Sequence, residues 1–442
     1  MDTRNAEVRF GYAEVDITPT GSVELVGFDR PDNMSKGVLN NLIAQIALWD
    51  VSGVKLCLIA IDSLGFTVEL TNTLRDMVAR ELSTTRDKVM VCFSHTHAAP
   101  NAATEKAYFE ALCAKVKNGI QKAVKTLEPV KAAWGIAEAD IGVNRRGNHE
   151  ALDRRIGILK IAGLNSAPKL LLLRVTAHAN VLTSDNYLIS ADYFHTARAQ
   201  LEQEYSCKVL LTQGASGDIK PKYRQAEAGY LEEHPREASM MATTPDDAKR
   251  RFDESMGALN KMAGEISAAV RSVYESIAPQ PIYNIDMFSE VHSFAADVPT
   301  QERAREIADE AWREAEIDGR NWLLEVDKLH QNGVSAQYDD IEIQYFVLNN
   351  GCWCGVANEV MCGIALDICR RTGDSLVYFG GYTNGCGGYL PTADEYDKGG
   401  YEVLWSYLVY YPYHQRVMPL SRETATKLAE VVSYTWNSYK RE

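Results

Sequence analysis

LIAQIALWDVSGVKLCLIAID, residues 42–62, reads as two strands meeting at a turn on Ser52-Gly53. Each apolar run falls well short of the ~20 residues that cross a bilayer, and a short turn between two β-rich runs marks a hairpin. Working outward, a helix is expected over about 67–82, then the strand KVMVCFS at 88–94, then a helix from about Thr104 to Leu127. Further strands are expected near 131–136, 154–162 and 170–177, with VLLTQG (209–214) following another helix. Strands alternating with helices, some joined as close hairpins, predict an α/β fold with mixed β-sheets flanked by helices.

The stretch 225–280 changes character. Thr244-Pro245-Asp246-Asp247 combines an N-cap, a first-turn proline and acidic first-turn residues, and predicts a long amphipathic helix to about Ile277. A second charged helix is expected over about 300–331. Together they read as a helical insertion or lid at about 225–331, near the candidate site and shaping its specificity. From 341 the strands IEIQYFVLN and CWCGVAN, the helix MCGIALDICRRTG and a Gly- and Tyr-rich loop at 379–401 follow. The aromatic run LWSYLVYYPYH (404–414) reads as core, as pocket wall or as an oligomer interface, which leaves a homo-oligomer open. With no internal repeat and no low-complexity linker, residues 1–442 are expected to form a single catalytic unit.

With 46% hydrophobic and 24% charged residues, the chain is a globular protein and not a disordered or fibrous one. A net charge of −14 argues against nucleic acid and against anionic lipid as partners. Nine cysteines without disulfide spacing, and a first segment without an apolar leader, predict reduced thiols and a cytoplasmic location.

Chemistry concentrates at strand ends. In Ser94-His95-Thr96-His97, side chains alternate along a strand, so His95 and His97 would share one face about 7 Å apart. Two such imidazoles can ligate one metal, or one can ligate while the other meets substrate. LLLRVTAHAN carries His178 to the end of a second strand, and TQGASGDIKP (212–221) carries Asp218 to a third. The glycines of the latter suit a tight turn or close backbone approach to a ligand, and Asp218 could orient a histidine.

In order along the chain, Asp16-Ile-Thr-Pro19, His95-Thr-His-x-x-Pro100, the strand-end His178, Gly214-Ala-Ser-Gly-Asp-x-x-Pro221 and GYTNGCGGYLPTADEYDKGGYE (381–402) resemble the catalytic domain of the neutral, non-lysosomal ceramidases. The resemblance implies a zinc ion held by His95, His178, Glu359 and Tyr389. It places His97 and Tyr401 beside the metal and the scissile group, with Arg145 of GVNRRGN as the family's arginine and Arg146 one position away. Without the resemblance, Glu359 could instead cap the helix beginning near Met361.

The implied activity is zinc-dependent hydrolysis of an amide in a small-molecule substrate. Tyr401 and Arg145 would stabilise the oxyanion, His97 would shuttle the proton, and Asp218 would orient a histidine. An esterase or lactonase using the same site, or a non-catalytic metal-stabilised binding protein, are the alternatives. Two departures from the family bear on the substrate. Lys220 stands where the family has a serine, and would bring a cation to the cleft if it points inward. The chain is also expected to lack the β-sandwich domain that follows the catalytic domain in ceramidases proper. A small soluble molecule is therefore expected, and not ceramide itself.

Overall fold

The computed structural model describes residues 7–234 and 244–441. The 42–62 stretch is the centre of its larger sheet. Strands Ile43–Val51 and Val54–Ile61 pair antiparallel from Ala44↔Ile61 to Val51↔Val54. Ser52 and Gly53 both take positive φ (50° and 97°), the turn geometry that matches the twist of the flanking strands. The nine-stranded sheet runs, by residue range, 208–213, 168–175, 155–163, 128–138, 8–16, 43–51, 54–61, 89–93, with the short strand 280–281 added to 128–138. Its two outermost pairs, 208–213 with 168–175 and 54–61 with 89–93, are parallel, and the pairings between them are antiparallel. The first strand, Val8–Asp16, carries no long apolar run and escapes a sequence reading that starts from apolarity.

Side-chain alternation sorts this sheet's residues between two cores. Ile46, Leu48, Ile59 and Ile61 face a layer of helices that includes 68–82, 106–125, 193–205 and 245–273. Their neighbours Ala47, Trp49, Leu58 and Ala60 face a second sheet of strands 285–297, 336–348, 351–355 and 377–380. Trp49 meets Phe346 with ring centroids 4.6 Å apart, and Trp134 stacks on Trp353 at 5.7 Å. The outer face of the second sheet packs Ile343, Tyr345 and Cys354 against Ile364, Leu428 and Trp436 of helices 362–372 and 424–439. The architecture is four layers, helix, sheet, sheet, helix, as the expected α/β class with mixed sheets requires.

The helices start and stop on local signals. In 68–82, Thr67 accepts from Leu70 N, Leu74, Val78 and Leu82 form the buried stripe, and Ser83 closes the helix in the left-handed region. Thr244 caps helix Pro245–Val273 by accepting from Asp247 N, as its sequence predicts.

Among the described residues, the 225–331 stretch, expected as a helical insertion or lid, is not helical throughout. Residues 235–243 lie outside the described residues. Helix 245–273 buries Leu259, Met262, Ile266 and Val270 in the main helix layer. Ile285–Asp297 is a 13-residue strand paired along its whole length with 336–348. Its burial does not follow one face, with Val291 exposed while Phe294 and Ala296 are buried, so its alternation is weak in sequence. The charged segment 300–331 is two helices, Gln301–Ala315 and Arg320–Gln331, broken around Gly319. Their buried faces back Val403, Leu404 and Leu408, so they support the cavity wall from behind.

All nine cysteines are free thiols. No helix among the described residues is long and apolar enough to cross a membrane.

Candidate metal centre

The site lies where strand ends of both sheets meet. The strand Val89–Phe93 stops two residues before His95, which takes φ 60°, so the HxH pair belongs to a turn and not to a strand. A non-glycine residue in the left-handed region is strained, and such strain persists only where surrounding contacts hold it. Here the contacts are His95 Nδ1 to Leu64 O at 2.6 Å, Thr96 Oγ1 donating to Ser190 O at 2.7 Å and His97 N donating to Ala179 O at 3.3 Å. The His95 and His97 rings lie 5.1 Å apart, closer than an extended strand would set them.

His178, fully buried, reaches the same point from the opposite strand end, its ring 4.7 Å from His95 and 5.6 Å from His97. Its Nδ1 lies 2.7 Å from Ser216 O. A carbonyl can only accept, so His95 and His178 both donate through Nδ1 and turn Nε2 toward the centre. Those two Nε2 atoms converge on Glu359 Oε2, at 3.2 Å and 3.4 Å. The second contact lacks hydrogen-bond direction, and His178 Nε2 is buried without a hydrogen-bond partner. Both ring nitrogens of His97 are likewise buried and unpartnered. Ligand atoms of His95, His97 and His178 all lie within 4.8 Å of one another. Buried imidazole nitrogens rarely go unpaired, and one ligand atom from each of these three histidines at such separations makes a group able to hold a metal ion.

Electrostatics follow from this crowding. Burial, then the neighbouring imidazoles, holds His97 well below the ordinary histidine value. Burial and the cation of Arg145 push His178 down to about 4. Burial works against the charge of Glu359, yet His95 and His178 hold it well below the usual carboxylate range.

Glu359 arrives through a two-residue parallel pairing, Glu359↔Tyr389 and Val360↔Leu390, which sets two of the sequence-selected ligands side by side. It does not cap the following helix. Asp218 does, accepting from Cys362 N at 2.7 Å through Oδ1, while Oδ2 accepts from Asn144 Nδ2 at 2.7 Å. This corrects the role expected of Asp218: it touches no histidine, and the carbonyls of Leu64 and Ser216 orient the imidazoles instead. Burial pushes the Asp218 carboxyl up to about 6 despite these donors.

Arg145 and Arg146 separate cleanly. Arg145 Nη2 donates to Gly217 O at 2.6 Å and to the Tyr389 hydroxyl at 3.2 Å, and its Nε lies 2.9 Å from Glu402 Oε1. Arg146 turns away to Glu395 at 2.6 Å and Glu402 at 2.8 Å. Glu402 thus bridges both arginines. Although burial opposes its charge, Arg145 is held above the ordinary arginine value by Tyr389 and Glu402. Tyr401 begins a π-helical turn, Tyr401–Trp405, its ring 6.2 Å from that of Tyr389.

A cavity of about 150 Å³ opens above this group, bordered by His95, His97, Glu359, Tyr389 and Tyr401. No described residue of 225–331 borders it, and neither does Lys220, which lies opposite Val143 in the pairing of 219–221 with 142–144. The aromatic run is wall as well as core: Tyr410 and Tyr413 border the cavity while Leu408 is buried behind them.

Sequence reasoning missed Tyr382. Fully buried at φ 53°, its ring lies 4.2 Å from that of His95, and its hydroxyl donates to Glu359 Oε2 at 3.4 Å. Its only signal was a tyrosine between glycine and Thr-Asn-Gly. Gly27 was missed too. At φ +109°, a Cβ there would stand 2.7 Å from the His97 ring.

Gly217 is required by close approach, since an added Cβ would lie 2.5 Å from Glu359 O and 2.9 Å from Val360 O. Backbone on that side cannot yield without moving Glu359. Gly217→Ala is expected to cost about 1–3 kcal/mol of stability, the usual price of overpacking, and to weaken metal binding, as read by denaturant unfolding and chelator competition.

No protein-family model matches the sequence, and a search of curated proteins found no match. Solved structures do match. The neutral ceramidase from Pseudomonas aeruginosa superposes with a TM-score of 0.68 at 17% identity, covering 96% of this chain and 75% of that one. A ceramidase complexed with C2 gives a TM-score of 0.71 at 15% identity, covering 99% of this chain and 76% of the other. At such identities the likeness speaks for the fold alone, and this chain has the neutral ceramidase fold.

Proposed function

We propose that this protein is a zinc-dependent hydrolase that cleaves the amide bond of a small soluble molecule, and not ceramide itself. The observation that carries the reading is the meeting of three buried imidazoles and Glu359 beside a cavity, with both nitrogens of His97 and the Nε2 of His178 unpaired. The donor set fits zinc, which favours imidazole nitrogen and carboxylate or phenolate oxygen. His95, His178, Glu359 and Tyr389 would hold it, and it would supply Lewis acidity toward a carbonyl oxygen and a nearby water.

The chain's own groups divide the remaining work. His97, neutral and with both ring nitrogens free, takes a proton from the attacking water and returns it to the leaving amine. Tyr401, protonated because burial raises its phenol, donates to the developing oxyanion. Arg145 is committed to Tyr389 and Gly217, so it acts by positioning Tyr389 and by its field. Asp218 and Asn144 keep the 217–219 turn in place behind His178.

Metal content and turnover test the reading together. Purified protein is expected to hold about one zinc per chain, to lose amide hydrolysis on dialysis against a strong chelator, and to regain it with zinc. Full activity in the stripped protein would overturn the proposal.

A further inference from the structure

The second sheet ends on strand 285–297, and one side of that strand has no neighbouring strand. Backbone groups alternate between the two sides of a strand. Asn284 O accepts from Asn349 N, and Val298 N donates to Ser335 O. The even-numbered residues therefore bond inward to 336–348, and the odd-numbered ones point outward. Two outward carbonyls are already capped: Lys88 Nζ donates to Met287 O, and Ser421 N donates to Ala295 O at 2.7 Å. Between these caps, Ser289, Val291 and Ser293 turn their N–H and C=O groups to the free edge, with no hydrogen-bond partner among the described residues. Val291, midway between the caps, is 61% exposed. Open edges are usually blunted by a proline, a lysine or a bulge. The stretch 288–294 has neither residue, and its pairing with 336–348 runs without a register shift.

The sequence of this stretch is self-complementary. Phe288-Ser289-Glu290-Val291-His292-Ser293-Phe294 reads the same in both directions, except that Glu290 and His292 exchange places. In an antiparallel pairing of two copies about a two-fold axis at Val291, Phe288 faces the second copy's Phe294. Ser289 then faces its Ser293, and Glu290 faces its His292. A carboxylate thus stands opposite an imidazole on both sides of the axis, and no carboxylate opposite another. Such cross-strand pairs favour a register, whereas like charges directly opposite each other oppose it. Glu290 is already held for this role: Tyr345 and Thr435 donate to its Oε1 at 2.6 Å and 2.9 Å, and its Oε2 lies 3.4 Å from His292 Nε2.

We infer that this edge is where two copies of the chain join, antiparallel about Val291, so that two four-stranded sheets become one. Each of the three facing pairs, Val291 with Val291 and Ser289 with Ser293 on either side, exchanges both of its N–H···O=C bonds. The twist between neighbouring strands separates the chains beyond those pairs, where the caps sit.

Association state and register test this. At about 50 µM, well above a micromolar dissociation constant, the protein is expected to sediment with the mass of two chains. Val291→Pro removes an outward N–H that has no partner within the chain, so the fold should hold while the protein sediments as a monomer. Val291→Lys should do the same by placing a charge on the edge. The register is read by cross-linking. Facing Val291 residues lie about 5.5 Å apart at Cα, within disulfide reach. With diamide as the oxidant, Val291→Cys should give a covalent dimer. Ser293→Cys, about 14 Å from its counterpart across the axis, should not, and neither should the parent, whose nine thiols are all buried or half-buried. A monomeric parent overturns the inference, whether its edge is bare or takes a strand from a different protein. So does a dimer that survives both Val291→Pro and Val291→Lys, or one that links through Ser293→Cys in place of Val291→Cys.

Discussion

Glu359→Gln is expected to lower zinc affinity by more than about 100-fold, to abolish amide hydrolysis, and to destabilise the metal-free protein by about 1–3 kcal/mol. Changes beside a metal ligand already cost about 10–100-fold in affinity, and this change removes the charge of a proposed ligand itself. The loss of stability follows from the surroundings. Glu359 is buried, and His95, His178 and Tyr382 hold its charge, which keeps the carboxyl well below the usual carboxylate range. A neutral amide fills the same space and gives up those charge-assisted contacts. Chelator competition and chemical denaturation of the metal-free forms check the two halves separately. Zinc affinity within a few-fold of the parent would remove Glu359 from the ligand set.

Arg145→Met is expected to lower kcat/KM about 100–1000-fold at saturating zinc, because Tyr389 loses the donor that positions it and the site loses a buried cation's field. Zinc affinity should fall less, about 10–100-fold, because Arg145 holds the hydroxyl of Tyr389 and not the metal. The structural cost should also be moderate. Glu402 loses one cation but keeps Arg146 at 2.8 Å, so it is not stranded as an unpaired buried charge. About 1–3 kcal/mol, the range for leaving a buried acceptor unsatisfied, is the expected loss. Steady-state kinetics, zinc competition and urea unfolding separate these effects. Unchanged kcat/KM with weakened zinc binding would make Arg145 a purely structural partner of Tyr389.

How much of the site can be read from sequence differs residue by residue. His95 and His178 stand out because each follows a run of apolar β-forming residues, where a polar imidazole marks the strand's end. Their mutual distance was not legible. The strand rule would set His95 and His97 about 7 Å apart, whereas the left-handed turn at His95 brings their rings to 5.1 Å. Arg145 and Arg146 are equivalent as neighbours in sequence. Only the pairing of 142–144 with 219–221, which aims one inward and the other at Glu395, tells them apart. Asp218 looked like a partner for histidine because it follows a glycine-rich strand end, but the vacancy it fills is the free N–H at the start of helix 362–372.

By itself the sequence determined the alternation of strands and helices, the 43–61 hairpin, the Thr244 helix start and the strand ends that carry histidines. All of these are local: they follow from side-chain period, turn residues and caps within a few positions of one another. The tertiary structure alone decided that 285–297 is a strand of a second sheet, that the charged 300–331 helices back the cavity wall without entering it, and that Glu359 and Tyr389 lie beside imidazoles from far earlier in the chain. Those outcomes depend on which apolar face finds which partner. A charged helix and a lid look alike in sequence until the core beneath them is packed.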